Sequence, residues 1–234
     1  MAETDTGSQT PSPLGNDPGE CGGEHGLRGG TRADGTHPED PGVDRNTRHL
    51  ETARGILSYA ELAPLLAEKV TMAEAAIAAG VYDDNKIDEF LVKDLHLKVC
   101  GEFVPGWAGR WRDIEVKVGK HQPPPPHKIP IQIRDFVLDL DARWDDASQS
   151  VSDLTLEFLA FAEGRFLTIH PFRDFNGRTV RLLLSECLRR LDLPLVALTP
   201  EGHAARQEYF LALEAADSSD WSPLCEIWKQ RLGG

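Results

Sequence analysis

No apolar run in this 234-residue chain approaches the ~20 residues a helix needs to cross a bilayer, so no membrane span is expected. The N-terminus lacks a basic stretch followed by an apolar one, so no signal peptide is read there. Positive charge is scarce. Lys and Arg number 25 against 38 Asp and Glu, a formal net charge of −13. The overall field therefore repels a phosphate backbone and argues against nucleic acid as a partner. Cysteine is sparse too: the four, at 21, 100, 187 and 225, show no C-x-x-C spacing. A zinc site or disulfide framework is not expected. Cys100, Cys187 and Cys225 lie in apolar contexts and read as small core residues, which suits a reducing cytoplasm.

Aromatic residues are missing from the first 44 positions, which hold nearly half of the chain's 21 glycines. Such a segment cannot bury enough apolar surface to offset its ordering entropy. Residues 1–44 are expected to be a disordered tail without chemistry. Cys21, His25 and His37 are too scattered there to make a metal site.

The remainder is patterned for helices. Residues 45–84 read as a small N-terminal helical region. One piece is expected from Asn46 to Ala53, ended by Gly55. A second starts at Ser58, which forms a capping-box pattern with Glu61. A third starts at Thr71, with the same pattern to Glu74, and ends at Gly80. Pro64 falls in the first turns of the second piece, where it costs less than mid-helix. Ile87, Phe90, Leu91, Leu95 and Val99 recur near helical spacing, with His96 as a packing histidine. Ile114, Glu115, Val116, Lys117 and Val118 alternate apolar and charged, as a half-exposed strand does. The run Pro123 to Pro126 must be extended. A stiff connector is preferred to an SH3-type ligand, because Pro130 then opens a helix carrying Ile133, Phe136, Val137, Leu140 and Trp144. Residues 152–168 are apolar nearly all round and should form a buried central helix. After Pro194 two amphipathic helices close the chain, the second starting at Ser222-Pro223.

The chemistry concentrates between two of these helices, from Ile169 to Arg181. Val180, Leu183, Leu184, Cys187, Leu188 and Leu191 place a helix start near Asn176-Gly177. Backbone N–H groups and the positive end of the dipole meet there, which attracts phosphate. Arg178 and Arg181 share a face and suit phosphate oxygens in a planar fork. Asp174 offers a hard oxygen to Mg²⁺. His170 ends the preceding apolar helix, and histidine is the side chain that ordinarily exchanges protons near neutral pH. Singly, each of these residues reads better as a packing histidine, a helix-end pair or a solvated arginine face. Together, in this order at a helix start, they read as a base, a metal carboxylate and a phosphate cradle.

The stretch His170-Pro171-Phe172-Arg173-Asp174-Phe175-Asn176-Gly177-Arg178-Thr179-Val180-Arg181 resembles the signature of the Fic family, H-x-F-x-[D/E]-[G/A]-N-[G/K]-R-x-x-R. Seven specified positions match; the departure is Phe175, where the family usually has Gly or Ala. The resemblance extends more loosely over residues 85–232. It implies an all-α fold: a Fic-type helical domain with a small β-hairpin flap. The implied activity is AMP transfer from ATP to a Ser, Thr or Tyr hydroxyl of a target protein, with release of pyrophosphate. On this reading His170 is the base, Asp174 holds Mg²⁺, and Asn176, Gly177, Arg178 and Arg181 bind the phosphates. Residues 114–118 would be the flap that docks the target backbone by β-augmentation. Relatives that transfer UMP, phosphate or phosphocholine give an alternative, and a nucleotide-binding module without transfer gives another. Gly177, where phosphate-transferring relatives resemble a Lys form, favours AMP. Thr47 to Glu51 resembles the family's inhibitory helix, [S/T]-x-x-x-E-[G/N], whose glutamate pairs with the second arginine of the signature. Thr52 departs from that pattern, and Glu51 as an ordinary solvated helix charge is the preferred reading. Without inhibition by Glu51, a separate antitoxin-like partner is an open alternative.

Overall fold

The computed structural model describes residues 48–147 and 150–233. The tail expected over residues 1–44 lies outside the described residues, as do Asn46 and Thr47 of the first expected helix. The described part of that helix is instead an antiparallel hairpin. Strand β1 (His49–Thr52) pairs with β2 (Gly55–Ser58), with Leu50 opposite Leu57 and Thr52 opposite Gly55. The reason lies in the turn. Gly55 has φ +100, a conformation glycine adopts without strain, and the Thr52 hydroxyl donates to the Gly55 carbonyl at 2.7 Å. Gly55 is a hairpin glycine rather than a helix stop.

Ser58 then caps helix α1 (Tyr59–Ala78), and the capping box with Glu61 is present in both directions. Two pieces were expected here, but Thr71 lies inside one continuous helix. Nothing between Val70 and Met72 interrupts the backbone, so the second box pattern caps nothing. Helix α2 (Glu89–Cys100) starts at Asp88, whose carboxylate accepts from the amides of Phe90 and Leu91. Helix α3 (Ile129–Trp144) follows a short 3-10 turn over Pro126–Lys128.

Helix α4 (Asp153–Ile169) is the centre. It is capped by the Ser152 side chain and buries Phe158, Leu159, Phe161, Phe166 and Ile169 on different sides, as expected of a core helix. It packs on α3, on α5 (Asn176–Arg190), and on α6 (Gly202–Ala216) and α7 (Ser222–Arg231). Gly164 permits the approach of α7: a Cβ there would stand 2.8 Å from Leu224 Cδ1 and 2.8 Å from Trp221 Cζ3. Helices α1 and α2 cover the other side of α5. Ser222, expected as a cap, makes no side-chain capping bond; Asp220 accepts from its amide instead. No helix among the described residues is long and apolar enough to cross a membrane.

The strand expected over Ile114 to Val118 does not form. The one bridge nearby joins Val118 to His121. Side chains take the carbonyls a neighbouring strand would use: Arg112 donates to Ile114 O and Gln122 to Val116 O. The small β-hairpin of this fold is therefore the one at 49–58, not the flap segment.

Candidate active site

The bend between α4 and α5 is fixed at both ends by residues in the left-handed region. His170, at φ 48, ends α4; Phe175, at φ 60, begins α5. Non-glycine residues enter this region at a cost of ~1–2 kcal/mol, so packing must hold both. For Phe175 the packing is visible. Its ring is buried, stacks on Trp107 with centroids 5.8 Å apart, and meets Tyr59 of α1 at 6.5 Å. The Arg178 guanidinium lies 5.8 Å above the same ring. The phenylalanine that stands where a small residue was expected is thus a wedge into the wall made by Tyr59 and Trp107.

Within the bend, Asn176 closes a ring. Its Oδ1 accepts from Phe172 N at 2.9 Å and its Nδ2 donates to Phe172 O at 3.0 Å. Asn176 is fully buried, and its side chain shapes the bend. Phe172 stacks on His96 at 3.7 Å. Burial holds the His96 pKa down to about 4, against the raising effect of its bond to the Asp174 carbonyl. His96 is therefore neutral near pH 7. The Gly109 amide donates to Nδ1, so Nε2 carries the proton and donates to Asp174 O at 3.2 Å. A histidine expected only to pack also holds the backbone of the acidic residue.

Asp174 is buried beside that contact. Its Oδ1 accepts from Phe175 N at 2.7 Å, and its Oδ2 from Arg48 at 3.1 Å. The Arg48 guanidinium also lies 4.7 Å over the Tyr59 ring. The cation that stands at this carboxylate is thus the Arg48 guanidinium. The described residues offer no cluster of three or more acidic, His or Cys ligands. A lone carboxylate fits Mg²⁺ carried by substrate phosphates, not a protein-only metal cage.

Gly177 is buried, Arg178 and Arg181 are half-buried, and α5 begins without a side-chain cap. Helix starts leave amides that intrahelical bonds do not use. The bend therefore gathers His170, Asp174, Gly177, Arg178 and Arg181 within one helix–turn–helix. Arg173 reaches out to Asp113, donating from Nε at 3.0 Å and holding that exposed carboxyl below its usual range. Glu51 is not brought to the bend by an ion pair. It is exposed on β1 opposite Ile56, and among the described residues no ion pair joins it to Arg181. The segment that resembles the inhibitory helix is a strand in its described part.

Two residues were missed in the sequence. Arg48 meets Asp174 across 126 positions, a contact no local pattern signals. Arg112 is 2% exposed, and its buried guanidinium binds main-chain carbonyls around His170. Burial pushes its pKa down, against the nearby charge of Glu115. An arginine between Trp111 and Asp113 gives no sign of such burial.

The comparisons with known proteins place this helix–bend–helix among Fic folds. Residues 86–188 match the Fic/DOC family model, so the chain carries a domain of that family. The protein adenylyltransferase fic-1 of Caenorhabditis elegans is 34% identical over 142 residues, 61% of this chain and 26% of that protein. The protein adenylyltransferase Fic of Drosophila persimilis is 30% identical over 191 residues, 78% of this chain and 36% of that protein. The chain thus spans roughly a quarter to a third of these relatives' length. The BepC effector protein of Bartonella tribocorum, solved with bound AMPPNP, superposes with a TM-score of 0.61 at 15% identity. That match covers 81% of this chain and 94% of BepC, and at such identity it is a likeness of fold.

Proposed function

We propose that the protein transfers AMP from ATP to a Ser, Thr or Tyr hydroxyl of another protein. The observation that carries this reading is the bend itself, where a base, a carboxylate and two arginines sit at an uncapped helix start. The adenylyltransferase names of the relatives support it. Arg178 and Arg181 hold the phosphates with the Gly177 amide, and the Phe175 ring steadies Arg178. Asp174 holds Mg²⁺, which when bound neutralises phosphate charge. His170 takes the proton of the target hydroxyl. The hydroxyl oxygen then bonds to the α-phosphorus as its bond to the pyrophosphate oxygen breaks. Asn176 keeps the bend in shape throughout.

Residues 114–118 dock the target backbone. Arg112 and Gln122 take the Ile114 and Val116 carbonyls, which holds the backbone of this segment in place. Buried thiols at Cys100 and Cys187 suit a reducing cytoplasm. An inhibitor acting in trans, antitoxin-like, would place a carboxylate on Arg181.

ATP labelled at the α-phosphate, with Mg²⁺ and a cell lysate, tests the reading. Labelled protein with wild type and none with His170→Ala supports it. Label only from UTP points to another donor. Tight ATP binding without label shows a binding module and overturns transfer.

A further inference from the structure

The cavity of about 600 Å³ between the α1–α2 connection and α3 is lined by Asp83, Asp84, Ile87, Asp141 and Trp144. Of the acidic groups around it, Asp88 caps α2 and Asp83 pairs with Arg189. The buried carboxylates Glu163 and Glu186 are both satisfied by arginines. Arg112 is different: it is a fully buried cation that, among the described residues, pairs with no carboxylate.

Its donors go to backbone carbonyls from three segments. Nε donates to His170 O at 2.7 Å, and Nη2 lies 3.4 Å from Ile169 O. Nη1 donates to Ile114 O at 3.0 Å, and Nη2 to Pro124 O at 2.5 Å. Its own amide donates to Pro171 O at 2.8 Å. Ile169 and His170 are the last carbonyls of α4, where a helix presents negative partial charge and a cation is favoured. His170 itself occupies the left-handed region. Whatever fixes its carbonyl fixes the peptide plane from which the ring projects. The same guanidinium fixes the first carbonyl of the 114–118 segment.

We infer that Arg112 is the positioning residue that sets the His170 ring and the 114–118 docking segment in one mutual register. This rests on the transferase reading and deepens it, since the base must meet the hydroxyl that the segment presents. The planar fork is what spans carbonyls from separate segments; a lysine ammonium keeps the charge but lacks that reach. Misplacing a base by about an ångström costs about a hundredfold in rate. The phosphate-binding residues lie beyond the bend on α5, so nucleotide affinity is not what Arg112 governs.

The test compares wild type with Arg112→Lys. ATP affinity should stay within about threefold, below the factor that ~1.4 kcal/mol would give. The transfer rate at saturating ATP should fall about a hundredfold. In histidine-labelled protein the His170 ring resonances should move. An unchanged rate overturns the inference, and so does a loss of ATP affinity as large as the loss of rate. If wild type transfers nothing, the transferase reading fails by itself. The His170 resonances then decide, and their staying in place in Arg112→Lys refutes the positioning role. Should Arg112→Lys not fold, the wild type suffices: a through-hydrogen-bond coupling between Arg112 Nε and the His170 carbonyl carbon is expected, and its absence overturns the inference.

Discussion

Replacing Phe175 by Ala and by Gly separates two opposing effects at one position. The ring is 1% exposed and sits against Trp107, Tyr59 and His96. Its removal to Ala leaves a cavity in that wall and should cost about 3–5 kcal/mol. The backbone at this position has φ 60 and ψ 17. Glycine tolerates that conformation and alanine does not, a difference of about 1–2 kcal/mol. Phe175→Gly should therefore be destabilised by only about 1–4 kcal/mol, the cavity loss less the relief of strain. For a chain of this size that lowers the melting midpoint by roughly 2–16 °C. Urea titration followed by tryptophan fluorescence reads both variants, with Trp107 as a local reporter. The order expected is wild type, then Gly, then Ala. An alanine variant as stable as wild type would show that the ring is not a wedge. A glycine variant less stable than alanine would refute the strain argument.

Arg48→Ala should free the Asp174 carboxylate from a competing cation. Mn²⁺ affinity in the presence of ATP, read by electron paramagnetic resonance, should tighten about tenfold, the factor that ~1.4 kcal/mol gives. Unchanged affinity would mean that Arg48 does not compete. Gly164→Ala forces a methyl to 2.8 Å from Leu224 and Trp221 and 3.0 Å from Ala216. Overpacking costs about 1–3 kcal/mol against ~1 kcal/mol of better helix propensity, so a net loss in urea stability is expected. A stabilised variant would refute the close approach of α7. His121 ties the segment after residues 114–118 to Asp217, at 2.9 Å, and to the Thr168 carbonyl, at 2.9 Å. Burial lowers its pKa, but the bonds to Asp217 and Thr168 and the Asp217 charge outweigh it, so the net shift is upward. A raised folded value means the contribution is complete below the unfolded value of about 6.5 and is lost as pH rises through the folded one. Melting midpoints across that range should fall in wild type and fall less in Asp217→Asn; equal slopes would remove His121 as the cause.

Much of this was readable locally. The capping box at Ser58, the burial of α4 on several faces and the start of α5 are all short-range consequences of residue type. The misreadings share one cause: a local pattern has no knowledge of its partner. Gly55 looks alike as a helix stop and as a hairpin glycine, and only the pairing of Leu50 with Leu57 decides. The alternation from Ile114 to Val118 is that of a strand, but Arg112 and Gln122 claim its carbonyls. Phe175 gave no hint of its backbone, because the wall that holds it comes from Tyr59 and Trp107, far away in sequence. Arg48 and Arg112 escaped notice for the same reason.

The clasp of Asn176 on both backbone groups of Phe172 has a consequence for how this bend can vary. The amide meets its two partners only when three residues separate them. One residue more or fewer would turn those groups away and open the turn. Diversification of the chemistry here must then proceed by exchanging side chains at constant length, and Arg173, Asp174 and Phe175 are the positions enclosed by the clasp.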